Sequence, residues 1–118
     1  MDRGNFTILV VDDEEDIVEI ITESLQDSGF KTCSANSVAE AEKVLAENNV
    51  DMVLTDVKMP GESGFSLLEK TKLPVILITG HLDISEVDAK ERGAVTLLSK
   101  PFKVDEIVEI IESIIALS

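Results

Sequence analysis

Residues 6–16 read FTILVVDDEED, a near-continuous apolar run that ends abruptly in five acids. Near-continuous Val, Ile and Leu are expected in a strand that is covered on both faces, as in a parallel sheet. Acids directly after such a strand fit the first turn of a helix, where the helix dipole favours negative charge. This stretch therefore predicts a buried strand that leads at once into a helix.

The same alternation continues along the chain and predicts an α/β fold. A Ser37-Val38-Ala39-Glu40 capping box opens the second helical segment. Strands that alternate with helices indicate a parallel sheet, and short right-handed crossovers favour the flavodoxin-like strand order 2-1-3-4-5, flanked by five helices. The predicted strands span residues 6–11, 31–35, 52–55, 75–79 and 95–99, and the other four helices span 14–28, 65–72, 84–92 and 104–117.

The length and the charge limit the classes of partner. The chain has 118 residues, which suits a single domain over residues 1–118, and its formal net charge is −14. Affinity for DNA depends on Lys and Arg, and anionic lipid also attracts cations, so we expect neither nucleic-acid nor membrane binding. No segment approaches the ~18 apolar residues of a membrane span, and the first residues do not resemble a secretion signal. The sequence thus predicts a cytoplasmic protein whose ligands are cations or basic protein surfaces.

Three carboxylates are predicted to meet at one edge of the sheet. Asp12 and Asp13 follow the first strand, and Asp56 follows the third. In this fold the first and third strands are neighbours, and ligands bind beyond their carboxyl ends. Clustered carboxylates repel one another, and Mg²⁺ suits a set of oxygen ligands. The competing interpretation, in which acids only decorate a helix N-terminus, fits residues 14–16 better and stays open for Asp12 and Asp13.

The other strand ends add a hydroxyl and a cation. Thr79 ends the fourth strand and Lys100 follows the fifth. Each is ordinary when taken singly. Together with the acids they form the set that phosphoryl transfer to an aspartate requires, because a carboxylate can serve as nucleophile while a metal and a lysine offset the charge on the transferring group.

Four short segments carry a family resemblance through their order and spacing: 10–14 (VVDDE), 56–64 (DVKMPGESG), 78–80 (ITG) and 100–102 (KPF). The chain resembles the receiver domain of two-component response regulators over essentially its whole length, and is similar to the stand-alone, chemotaxis-regulator type. The resemblance implies that Asp56 is the phosphoacceptor. It also implies that Asp13, Asp56 and the backbone carbonyl of Lys58 bind Mg²⁺ directly, while Asp12 acts largely through water.

The resemblance further implies that Thr79 and Lys100 bind the phosphoryl group, together with the amides of Lys58 and Gly80. The donor in such systems is a phosphohistidine on a sensor histidine kinase or phosphotransfer protein. The domain would catalyse its own phosphorylation and dephosphorylation without being a turnover enzyme. Lys58 and His81 occupy positions that tune hydrolysis in similar domains. Because no output domain follows Ser118, we expect a downstream effector protein or onward transfer of the phosphoryl group.

Two features depart from the simplest expectation. Leu97 stands where this family usually has an aromatic residue that couples to the threonine, so either it simply packs or the output switch is altered. The last helix has an apolar stripe that is wider than a core-facing helix needs. The surplus suggests a partner surface or a homodimer through strand five and helices four and five.

Alternatives to the phosphorylation switch also remain. Leu97 makes a phosphorylation-independent, receiver-like interaction module the second interpretation. A third is a Mg²⁺-dependent phosphohydrolase of the haloacid dehalogenase type. That class needs an acid two residues after its nucleophile, where this chain has Lys58.

Overall fold

The computed structural model describes residues 3–80 and 85–117. Their strands form one parallel sheet in the order β2-β1-β3-β4-β5, which confirms the predicted topology. The strands are β1 (Thr7–Val11), β2 (Lys31–Ala35), β3 (Met52–Asp56), β4 (Val75–Thr79) and β5 (Thr96–Ser99).

Helices follow each strand in turn, and a short 3₁₀ turn, Arg3–Asn5, precedes β1. Among the described residues, no helix has both the length and the apolar character needed to cross a membrane. The helices are α1 (Glu15–Asp27), α2 (Val38–Glu47), α3 (Phe65–Lys70), α4 (Glu86–Glu91) and α5 (Val104–Leu117).

Helix ends depend on local hydrogen bonds. At the predicted capping box, Ser37 Oγ accepts from the Glu40 N–H at 3.1 Å, and α2 begins there. The third helix was predicted to reach residue 72 but ends at Lys70. The fourth was predicted from residue 84, which lies outside the described residues. The observed α4 begins after Ser85, whose Oγ accepts from the Asp88 N–H at 3.0 Å.

The core lies on both faces of the sheet because successive strand residues point to opposite sides. On one face, Ile8 and Val10 pack in a cluster with residues of α1 and α5, including Ile107. On the other face, Leu9 and Val11 pack in a cluster with residues of α2, α3 and α4. All residues of β3 and β4 are buried, as expected for central strands.

The parallel register sets which residues meet at the carboxyl edge. Val11 pairs with Thr55, Asp56 pairs with Ile78, and Thr79 pairs with Ser99. The residues that follow β1 and β5 therefore emerge beside the ends of β3 and β4. This edge is where the predicted site residues come together.

Candidate functional site

The three predicted carboxylates form one cluster. Asp12, Asp13 and Asp56 each present a carboxylate oxygen, and these oxygens lie within 4.8 Å of one another. Asp12 is 2% exposed and Asp56 is 7% exposed, whereas Asp13 lies on the open rim. Burial raises the pKa of the Asp12 carboxyl, and the nearby Asp56 charge adds to that effect. The cluster therefore concentrates negative charge that a cation would relieve.

Lys100 supplies part of that positive charge. Its Nζ lies 3.4 Å from Asp12 Oδ2 and 3.3 Å from Asp56 Oδ2. Burial opposes the charged ammonium, but the Asp56 and Asp12 carboxylates outweigh it and raise the pKa of Lys100. The Lys100 N–H donates to the Thr79 carbonyl at 2.7 Å, which fixes the backbone from which the side chain reaches the acids, and a cis bond to Pro101 follows. In the described part of the chain, one ammonium faces three carboxylates, so this cluster stays negative.

The loop after β3 holds the Asp56 backbone in place. A Cβ added to Gly64 would lie 2.1 Å from the Asp56 carbonyl oxygen, so this position has no room for a side chain. The Gly64 N–H and the Ser63 hydroxyl both donate to the Val57 carbonyl, at 2.8 Å and 2.9 Å. The sequence placed Gly64 inside a motif without giving it a role. The motif was the one signal in the sequence that could have pointed to Gly64. The contact between Gly64 and the Asp56 carbonyl depends on the folded loop and leaves no pattern in the sequence.

The remaining predicted residues surround the carboxylates. Thr79 ends β4 with 1% of its surface exposed, and Gly80 follows it with an open surface. The Lys58 N–H lies 3.4 Å from Asp56 Oδ1, while the Lys58 side chain is exposed. His81 lies outside the described residues. Thus Asp12, Asp13, Asp56, Thr79 and Lys100 share one edge of the sheet, and Lys58 meets it through its backbone.

The donor set fits a hard divalent cation. All three side chains offer carboxylate oxygens, and the rim position of Asp13 leaves the cluster open on one side. Mg²⁺ prefers oxygen ligands and retains several waters, which requires such an opening. Among the residues that the structure describes, three carboxylates against the one ammonium of Lys100 provide the electrostatic driving force.

One protein family matches nearly the whole chain. The family described as the response regulator receiver domain matches residues 8–112. The chain belongs to this family, so it is a receiver domain of two-component response regulators, as its motifs predicted.

Individual relatives include both long and short proteins. The chain is 36% identical to the DNA-binding transcriptional regulator NtrC of Escherichia coli K12, over 98% of this chain and 26% of that protein. It therefore spans about a quarter of that relative's length. It is 33% identical to sporulation initiation phosphotransferase F of Bacillus subtilis, with 96% of each chain covered.

Solved structures agree with the fold. A response regulator receiver domain protein from Clostridium thermocellum superimposes with a TM-score of 0.85 at 34% identity, with 92% of each chain covered. The response regulator TrrA from Thermotoga maritima, solved in complex with Mg²⁺-BeF, superimposes with a TM-score of 0.80 at 33% identity, over 92% of this chain and 97% of that one.

Proposed function

We propose that this chain is a Mg²⁺-dependent phosphoacceptor whose reactive group is the Asp56 carboxylate. The observation that carries the proposal is the cluster of Asp12, Asp13 and Asp56 within 4.8 Å, with Lys100 Nζ 3.3 Å from Asp56 Oδ2. An Asp56 oxygen attacks phosphorus, the bond from phosphorus to the donor breaks, and an acyl phosphate forms. For a phosphohistidine donor the leaving group is an imidazole nitrogen, which retains the electron pair of the broken bond.

The neighbouring residues bind the metal ion and the oxygens of the phosphoryl group. Asp13, Asp56 and the Lys58 carbonyl would hold Mg²⁺, with Asp12 acting largely through water. The ion, when bound, would offset charge on the transferring oxygens. Lys100 exchanges its contact with Asp56 for a phosphoryl oxygen. The Thr79 hydroxyl and the amides of Lys58 and Gly80 orient the other oxygens. Donors that the strand ends already hold near the phosphoryl position lower the barrier because little rearrangement is needed during transfer.

Two relatives support this chemistry. The sporulation protein that matches this chain over nearly its full length is named as a phosphotransferase. The TrrA structure contains Mg²⁺ and beryllium fluoride, which has the shape and charge of a phosphoryl group. We extend both properties to this chain because its own carboxylates and lysine provide the required charges.

The partners follow from the same chemistry. The donor is a sensor histidine kinase or a phosphotransfer protein, and residues 1–118 act as one receiver unit that signals to a downstream effector. The domain promotes its own phosphorylation and dephosphorylation and turns over no external substrate. We propose a homodimer contact on β5, α4 and α5, because Val87 of α4 is 65% exposed and the α5 isoleucines that pack against the edge of the core remain partly exposed.

Intact mass spectrometry tests the proposal. Wild-type protein is incubated with acetyl phosphate, with and without Mg²⁺, beside Asp56→Ala and a matched control, Asp16→Asn. Asp16 is an exposed acid in the first turn of α1, outside the cluster. We expect one added phosphoryl group on wild type and on Asp16→Asn, dependent on Mg²⁺, and none on Asp56→Ala.

The alternatives predict different results. Absence of phosphorylation in wild type would favour the phosphorylation-independent interaction module. Sustained hydrolysis of a generic phosphate ester would favour the phosphohydrolase, although the exposed side chain at position 58 is a lysine rather than an acid.

A further inference from the structure

A side-chain contact joins α3 to α4 on one face of the sheet. The Arg92 guanidinium carbon lies 3.7 Å from the centroid of the Phe65 ring. Phe65 is the first residue of α3, and Arg92 caps the C-terminal end of α4. A cation within about 6 Å of a ring centroid is attracted by the ring's electron density, and guanidinium groups also stack on such faces. We call this pair the Arg92–Phe65 contact.

Phe65 is fixed by the residues that fix Asp56. It follows Gly64, whose backbone packs against the Asp56 carbonyl with no room for a Cβ. The Phe65 N–H donates to Ser63 Oγ at 3.1 Å, and the same hydroxyl donates to the Val57 carbonyl at 2.9 Å. The backbone of Phe65 is therefore tied by a hydrogen bond to the loop that follows Asp56.

At the other end of the contact, α4 is weakly anchored. Of residues 86–91, all in the described part of the chain, only Ala89 is buried, and Val87 is 65% exposed. Elements with few buried apolar contacts lie at the low end of local stability. Besides Ala89, the described anchors of α4 include the Thr96 hydroxyl, which donates to Glu86 Oε1 at 3.0 Å, and the Arg92–Phe65 contact at the C-terminal end.

Leu97 stands at the position that the family resemblance associates with coupling. Position 97, where receiver domains generally have an aromatic residue, is Leu97, which is buried in the same cluster as Ala89. It packs as a core residue and has no ring to reorient. We infer that the Arg92–Phe65 contact couples the phosphorylation state of the Asp56 loop to the position of α4. This inference rests on the proposed phosphoacceptor function.

Hydrogen–deuterium exchange on the full chain tests the coupling. Each protein is measured with Mg²⁺ alone and with Mg²⁺ plus acetyl phosphate, and intact mass on the same samples reports phosphorylation. In wild type, phosphorylation should change deuterium uptake in peptides that cover residues 86–92. Arg92→Ala and Phe65→Leu should become phosphorylated but show a response smaller by about twofold or more, the usual effect of changes within a coupled network. The double variant should respond no less than either single variant.

Two controls separate the contact from general effects. Lys90→Ala removes the same charge from the same helix, where Lys90 pairs with Glu86 at 3.1 Å, and it should keep the wild-type response. Phe65→Tyr retains the ring and should also keep it. Wild-type responses in phosphorylated Arg92→Ala and Phe65→Leu, or no change in α4 of phosphorylated wild type, would overturn the coupling alone. Failure of wild type to gain a phosphoryl group would overturn the proposed function, and the coupling with it.

Discussion

The Lys100 ammonium lies between two buried carboxylates, at 3.4 Å from Asp12 and 3.3 Å from Asp56. In the metal-free protein it is the nearest counter-charge to both groups that the structure describes. The same ammonium is proposed to bind a phosphoryl oxygen. Lys100 therefore has two roles, to stabilise the metal-free fold and to bind the phosphoryl group. Bound Mg²⁺ would take over the first role, so measurements with and without the metal separate the two.

Lys100→Ala should destabilise the metal-free protein by about 2 kcal/mol, because it leaves buried carboxylates without their partner. The loss should shrink when Mg²⁺ supplies positive charge in its place. Urea unfolding with and without Mg²⁺ measures both values, and Lys103→Ala, which removes an exposed lysine nearby, is the control. An equal loss in both conditions would contradict metal binding at this cluster.

Gly64 is the second residue whose replacement has a specific consequence. A Cβ there would meet the Asp56 carbonyl oxygen at 2.1 Å, so Gly64→Ala should displace the loop, cost about 2 kcal/mol or more and lower the yield of phosphorylation. Gly61→Ala is the comparison, since its Cβ would meet open space and only its φ of +85° is unfavourable. We expect it to cost about 1 kcal/mol and to preserve phosphorylation. Equal effects of the two variants on the phosphorylation yield would refute the special role of Gly64.

Some features of the site could be predicted from the sequence and others could not. The meeting of Asp12, Asp13 and Asp56 followed from strand ends, which the apolar pattern locates, and from strand order, which the connection rules of parallel sheets favour. That Lys100 contacts two carboxylates at once, and that Gly64 packs against Asp56, depends on loop paths and tertiary distances. Such distances leave no periodic signal in a sequence.

At the scale of elements, strand positions were predicted more accurately than helix ends. The apolar run located β4 to the residue, because a central strand buries every side chain. The bounds of β2 were also predicted to the residue, although it is an edge strand in which only Ala35 is buried. Short helices were harder to delimit. The ends of α3 and α4 depend on caps and on packing that involves few residues, such as the single buried Ala89 of α4.

Helices α4 and α5 carry the apolar residues of the proposed homodimer surface. Ile107 and Ile111 are fully buried, but Ile110, Ile114 and Ile115 are only half-buried. If β5, α4 and α5 form a contact between two copies, Val87→Glu should weaken self-association about tenfold, the loss expected for one buried valine. Ile20→Glu changes a residue of α1 that is 59% exposed, and should leave association unaltered. Sedimentation velocity measures both, and equal behaviour of the two variants would exclude this surface.

At the scale of the whole molecule, the net charge of −14 makes cation binding a contribution to stability. Mg²⁺ at about ten times its dissociation constant should add about 1.4 kcal/mol by linkage, which corresponds to a rise of about 5 °C in Tm for a chain of this size. Thermal unfolding at matched ionic strength measures this rise. It should disappear in Asp13→Asn and persist in Asp16→Asn, which removes the same charge outside the cluster. A rise that is equal in both variants would indicate general screening instead of a site.

The most direct test of the account locates the phosphoryl group itself. Borohydride reduces an acyl phosphate on aspartate to homoserine, which peptide mass spectrometry assigns to a residue. After incubation with acetyl phosphate and Mg²⁺, we expect homoserine at position 56, and none when the metal is removed. Homoserine at position 12 or 13, or no reduced residue in a chain that has gained the phosphoryl mass, would contradict the account.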